Sequence, residues 1–120
     1  MANSGQELQR QMEAAEKDFN AKHEAIFHLT EPVIPEEVKV LTHEQRMALE
    51  SFQKEAISRV VSARKQARRA QELAVEFYSS SGPFLLRRSR SNRAFMEWHN
   101  RIESLNSLEA IFGIIMGPYE

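Results

Sequence analysis

A chain of 120 residues with 16 basic and 17 acidic side chains has a formal net charge of −1, and it contains no cysteine. That length allows one hydrophobic core and too little chain for two. The missing cysteines exclude disulfide scaffolds, zinc fingers, iron–sulfur clusters and thiol nucleophiles.

The first element starts at a capping box, Ser4 with Glu7, in which each side chain reaches the other's backbone N–H. Leu8, Met12, Ala15, Phe19, Ile26 and Leu29 follow at heptad spacing, broken only at Lys22. One apolar stripe with a charged opposite face predicts a helix over 5–29. Pro32 and Pro35 end it and make 30–41 a connector. Their Pro-x-x-Pro spacing fits an SH3-type ligand, but a rigid inter-helix connector is the better reading. Pro35-Glu36-Glu37 suits one short turn.

Thr42 and Gln45 form a second capping box, and no glycine or proline follows until Gly82. Strong helix formers fill the interval. Leu49, Phe52, Ala56, Val60, Ala63, Ala67, Ala70, Ala74 and Phe77 recur at three- and four-residue steps. A long helix is predicted over 43–79, about 55 Å at 1.5 Å per residue. It overhangs any compact domain of this size, whose radius of gyration is about 14 Å. Either the molecule is an elongated hairpin or a second chain covers the overhang. The small side chains at Ala56, Ala63, Ala67, Ala70 and Ala74, with Val60, allow another helix to approach closely. Ile57, Val61 and Val75 form a second apolar face, about 100–140° round the helix. Coiled-coil-like self-association through this helix is the resulting expectation.

Gly82-Pro83 stops the long helix, and residues 82–91 are expected to be a basic loop. Ser91 or Asn92 is placed to cap a third helix over 92–105, with Phe95, Trp98, Ile102 and Leu105 on one side. Asn106 and Glu109 are together placed to cap a fourth over 107–116. Ile111, Phe112, Ile114, Ile115 and Met116 make that segment apolar all round, which a terminal helix of a monomer rarely tolerates. Phe112 and Ile115 therefore join the apolar interface candidates. The expected fold is all-α, one domain over 1–120, an elongated bundle of three to four helices, oligomeric or part of a complex.

The near-zero net charge conceals a pattern. Residues 1–58 carry eleven acids and six bases, 59–93 nine bases and two acids, and 94–120 four acids and one base. The chain is thus −5, then +7, then −3, an asymmetry that speaks to partners. Arg64, Lys65, Arg68 and Arg69 share one side of the long helix, and Arg87, Arg88, Arg90 and Arg93 follow the glycine–proline stop. Arginine suits bidentate contacts to carboxylate or phosphate.

Catalytic and metal chemistry find no constellation. His23 and His28 are five residues apart, about 140° round a helix, so they cannot share a metal. No Glu-x-x-His pair, Gly-x-Ser-x-Gly elbow or phosphate-cradling glycine loop occurs, and no cofactor is expected. His28 with Glu24 and His99 with Glu103 are expected to be surface i,i+4 partners. The polar N-terminus lacks a secretory pattern, and the apolar run Ala110–Met116 falls far short of the about 20 residues a membrane span needs. An intracellular setting is expected, cytoplasmic or nuclear, with viral or phage origin open.

The functional expectation is a non-enzymatic interaction or assembly subunit, such as an adaptor, small chaperone-like protein or inhibitor. It would bind itself or another, acidic, protein through its apolar helix face and arginines. The alternative is a nucleic-acid binder, with Arg64–Arg69 and Arg87–Arg93 on phosphates and Tyr78, Phe84 and Trp98 stacking on bases.

Overall fold

The computed structural model describes residues 4–120 and consists of three helices, with no strand among those residues. The helices are α1 (Ser4–Phe27), α2 (His43–Ser80) and α3 (Arg87–Gly113). The capping side chain expected at Ser4 lies outside the described residues. At Thr42 both halves of the capping box are present: Gln45 N–H donates to Thr42 Oγ1 at 3.1 Å, and Thr42 N–H donates to Gln45 Oε1 at 3.0 Å. Two of the orphan donors at the start of a 38-residue helix are thereby satisfied.

α2 is the spine, and the molecule measures 62 × 22 × 15 Å. Its Cα radius of gyration, 19.5 Å, exceeds the roughly 14 Å of a compact chain this long. α1 and α3 both run antiparallel to α2 and flank it. Gly5, at the start of α1, lies beside Ser81 just past the end of α2, and the α1 carbonyl of Ala25 accepts from Arg59. The overhang expected of the long helix is therefore covered by the chain's own helices.

This corrects one sequence expectation. Ala56, Val60, Ala63, Ala67, Ala70 and Ala74, expected to meet a second chain, are buried in the chain's own core. Their small side chains leave room for large ones on the flanking helices: Phe19 and Ile26 from α1, and Trp98, Ile102 and Leu105 from α3. Across α2 the Phe19 and Trp98 rings meet edge to face at 5.2 Å, the arrangement aromatic quadrupoles favour. The second face is half-buried at Ile57, Val61 and Val75.

The third and fourth predicted helices are one. α3 runs unbroken from Arg87 to Gly113, so the basic segment expected to be a loop over 82–91 is helical from Arg87 onward. A single 3₁₀ turn, Phe84–Leu86, joins it to the glycine stop. Arginine is a strong helix former, and that preference prevails here over the capping signals at Ser91 and Asn92. Asn106 does not cap a new helix; its side chain bonds Glu103 and Arg64 instead. Gly82 has φ +82°, the left-handed region that glycine adopts without a Cβ clash.

The end opposite Gly82 holds a small second core. Leu41, Leu49 and Met116 are buried there, with Ile34, Val38, Ile115 and Tyr119 packed around them. The connector 28–42 and the residues after Gly113 thus close over the start of α2. A turn after Pro35, with Val38 N–H donating to Pro35 O at 3.1 Å, occupies the place expected for it. No helix among the described residues is long and apolar enough to cross a membrane.

Candidate interaction surface

The arginines of the basic block fall into two groups once the helices pack. Arg59 donates to Ala25 O at 2.6 Å and pairs with Glu55 at 3.0 Å. It thereby caps the C-terminus of α1, where carbonyls lack partners and positive charge is favourable. Gln53 does the same for α3, donating to Phe112 O at 2.9 Å and Gly113 O at 3.2 Å. Arg64 is drawn in further, pairing with Glu109 and donating to Asn106 Oδ1 at 3.0 Å. It ties α2 to α3 and is not presented to a partner, as the sequence reading had it.

The Glu109 carboxyl is held below its usual range, first by the hydrogen bond from Arg64, which outweighs the opposing effect of burial, with a smaller lowering from that guanidinium's charge. A carboxyl whose folded pKa is lowered adds stability above its unfolded value, about 4.3. That stability disappears as pH falls through the lowered folded value. Glu109→Gln is expected to destabilise the protein at pH 7 by under about 1 kcal/mol, because the carboxylate is partly solvated. Urea unfolding of both proteins should show the difference shrinking as the pH is lowered below 4.

Lys65, Arg68 and Arg69 stay exposed on α2, with Glu72 4.0 Å from Arg69. The other four bases gather where α2 turns into α3, at what we call the arginine end. Arg87 donates from Nε to Gly82 O at 3.2 Å and lies 5.7 Å from the centre of the Phe84 ring, so it braces the turn. Arg88, Arg90 and Arg93 are exposed, and none has a carboxylate within 4.0 Å among the described residues. Beside them Phe84 and Leu85 are 77% and 90% exposed. Residues 77–96 contain no acid.

These four arginines occupy the first two turns of α3, which has no acidic residue in its first turn and no side-chain cap. A helix N-terminus carries the positive end of the macrodipole, so Arg87, Arg88 and Arg90 in the first turn cost about 0.3–1 kcal/mol each, an effect that fades by Arg93 in the second.

The remaining candidates scatter. Trp98 is buried and cannot stack on a base; Tyr78 is half-buried, and only Phe84 is fully open. Phe112 and Ile115 are half-buried, Phe112 edge to face with Phe52 at 5.9 Å. His23 packs between Phe19 and Phe27, His28 meets Glu24 at 3.5 Å, and His99 stacks on Phe95 rather than pairing with Glu103. Among the described residues no group of three or more His, Cys, Asp or Glu is placed to hold a metal.

Two features had no sequence signal beyond residue type. Arg101 lies 4.2 Å over the Trp98 ring and 3.6 Å from Glu16 of α1, clamping the aromatic pair. At the connector end, an open hollow of about 700 Å³ is lined by Met47, Glu50, Lys54, Ile57, Met116 and Glu120, among others. No protein-family model matches the chain, and no match was found among curated proteins or solved structures.

Proposed function

We propose that the chain is a non-enzymatic helical interaction subunit that binds an acidic protein partner through its arginine end. The observation that carries this reading is the exposure of Phe84 and Leu85 on the turn that leads directly into the exposed Arg88, Arg90 and Arg93 of α3. Large apolar side chains in such a setting serve as anchors. Guanidinium groups around them make charge-assisted hydrogen bonds to carboxylates and steer encounter. Placing the arginines against the α3 dipole costs the isolated fold stability, and an anionic partner would offset that cost.

Nucleic acid is the weaker occupant. Arg64 is engaged with Glu109 and Trp98 is buried, which removes one of the helix bases and the indole from any stacking track, although Lys65, Arg68 and Arg69 stay exposed.

Affinity capture from nuclease-treated extract tests the proposal. The wild-type chain should retain an acidic protein, released by raised salt as rim charges are screened. The double variant Phe84→Ser/Leu85→Ser should lose at least nine-tenths of it, on the order of a hot-spot loss. Equal retention by both proteins overturns the assignment. Loss of all retained material on nuclease treatment transfers the surface to nucleic acid.

A further inference from the structure

The two ends of the molecule are unlike, and they complement each other. The arginine end is a prong: Phe84 and Leu85 are exposed on the turn, and exposed Arg88, Arg90 and Arg93 follow on the first two turns of α3, the last two beside Tyr78 and Glu97. The connector end is acidic. Glu31, Glu36, Glu37, Glu44, Glu50 and Glu120 are all exposed there, against Lys39, Arg46 and Lys54. It also contains the hollow of about 700 Å³, within the size range of pockets that enclose drug-sized groups. Met47, Ile57 and Met116 give that hollow an apolar lining, while Glu50 and Glu120 supply carboxylates.

We propose that the acidic partner of the arginine end is the connector end of a second copy of this chain. The proposal rests on the function proposed above and names its partner. Phe84 and Leu85 of one molecule enter the hollow of the next and cover Met47, Ile57 and Met116. Arg88, Arg90 and Arg93 then meet the carboxylates of Glu50 and Glu120. Apolar surface pairs with apolar surface, and the arginines meet two carboxylates against one like charge, Lys54.

The contact joins unlike patches, so it is heterologous and does not close on itself as a two-fold dimer does. With the patches at opposite ends of a 62 Å body, each added copy leaves one prong and one hollow free. Growth is head to tail. The patches are small compared with standard stable interfaces, so association is weak, concentration-dependent and opposed by salt.

Sedimentation velocity on the full chain and two variants tests this. Phe84→Ser/Leu85→Ser removes the prong, and Met47→Ser/Glu50→Lys alters the hollow. All four side chains are exposed or half-exposed, and circular dichroism checks that both variants keep wild-type helicity. The wild type should form a series of oligomers that grows with concentration and shrinks at high salt. Each variant alone should sediment as a monomer. Mixed one to one, they should give a dimer of twice the 13.9 kDa chain mass in equilibrium with monomer and nothing larger, because one good prong meets one good hollow and neither end can extend.

A wild type that stays monomeric up to about 1 mM, where even a contact worth only about 4 kcal/mol is half-formed, overturns the inference. So does wild-type association that either variant retains, or a mixture that yields no dimer. If the wild type is monomeric yet captures an acidic protein through Phe84 and Leu85, only the self-association falls and the proposed function stands. If capture also ignores those residues, both fall.

Discussion

Replacing Trp98 with alanine is expected to destabilise the protein by about 3–5 kcal/mol, as large-to-small core changes of an aromatic do. Trp98 is 4% exposed and joins all three helices: it stands on α3, lies over the alanines of α2, and meets Phe19 of α1. Its removal also takes away the ring over which Arg101 lies, leaving that guanidinium with Glu16 and the more distant Phe19 ring. For a domain with about 5–15 kcal/mol to lose, that is a large share. Urea unfolding measures it, and a loss below about 1 kcal/mol would mean the ring is not the joint described. Amide exchange in the middle of α1 should accelerate in the same variant, since the Phe19–Trp98 contact links α1 to α3.

The reverse change on α2 carries the second large effect. Ala63 and Ala67 are both 0% exposed, and no free volume is needed beside them because Phe19, Trp98 and their neighbours already fill it. Ala63→Leu and Ala67→Leu are each expected to cost about 1–3 kcal/mol through off-rotamer side chains and displaced flanking helices. Ala48→Leu, on the exposed side of the same helix, should stay within about 0.5 kcal/mol. Three chemically identical changes then separate burial from helix propensity. If the stripe instead lay open for a second chain, Ala63→Leu and Ala67→Leu would behave like Ala48→Leu in dilute solution.

Much of this architecture is legible in the sequence where its determinants are local. The Thr42 box, the run of helix formers after it and Gly82 mark α2 to within a residue or so, because capping and propensity act over a few neighbours. The start of α3 was not legible for a related reason. Its arginine run carries helix propensity but no N-terminal signature, so the capping side chains at Ser91 and Asn92 gave the stronger local signal. Periodicity also identifies the alanine stripe as a covered face without saying what covers it. That answer lies in residues far along the chain, such as Phe19 and Trp98.

The same limit governs the surface. Nothing in the sequence distinguishes Arg59 and Arg64 from Arg88 and Arg90. The separation comes from partners 34 and 45 positions away, Ala25 and Glu109. Packing withdraws those two arginines into structural roles and leaves the arginine end as the concentrated basic surface that retains apolar neighbours. A charge pattern of −5, +7 and −3 therefore overstates how many of the middle block's bases remain exposed.

The central claim is that the α3 arginines serve a partner at some expense to the fold. Thermal unfolding of the triple variant Arg88→Glu/Arg90→Glu/Arg93→Glu, set beside its capture of acidic protein, tests that claim most directly. Acids in the first turn, here at positions 88 and 90, complement the helix dipole by about 0.3–1 kcal/mol each, and the acid at 93 adds little. The account therefore predicts a higher Tm together with loss of capture. A lower Tm, or undiminished capture, would contradict it.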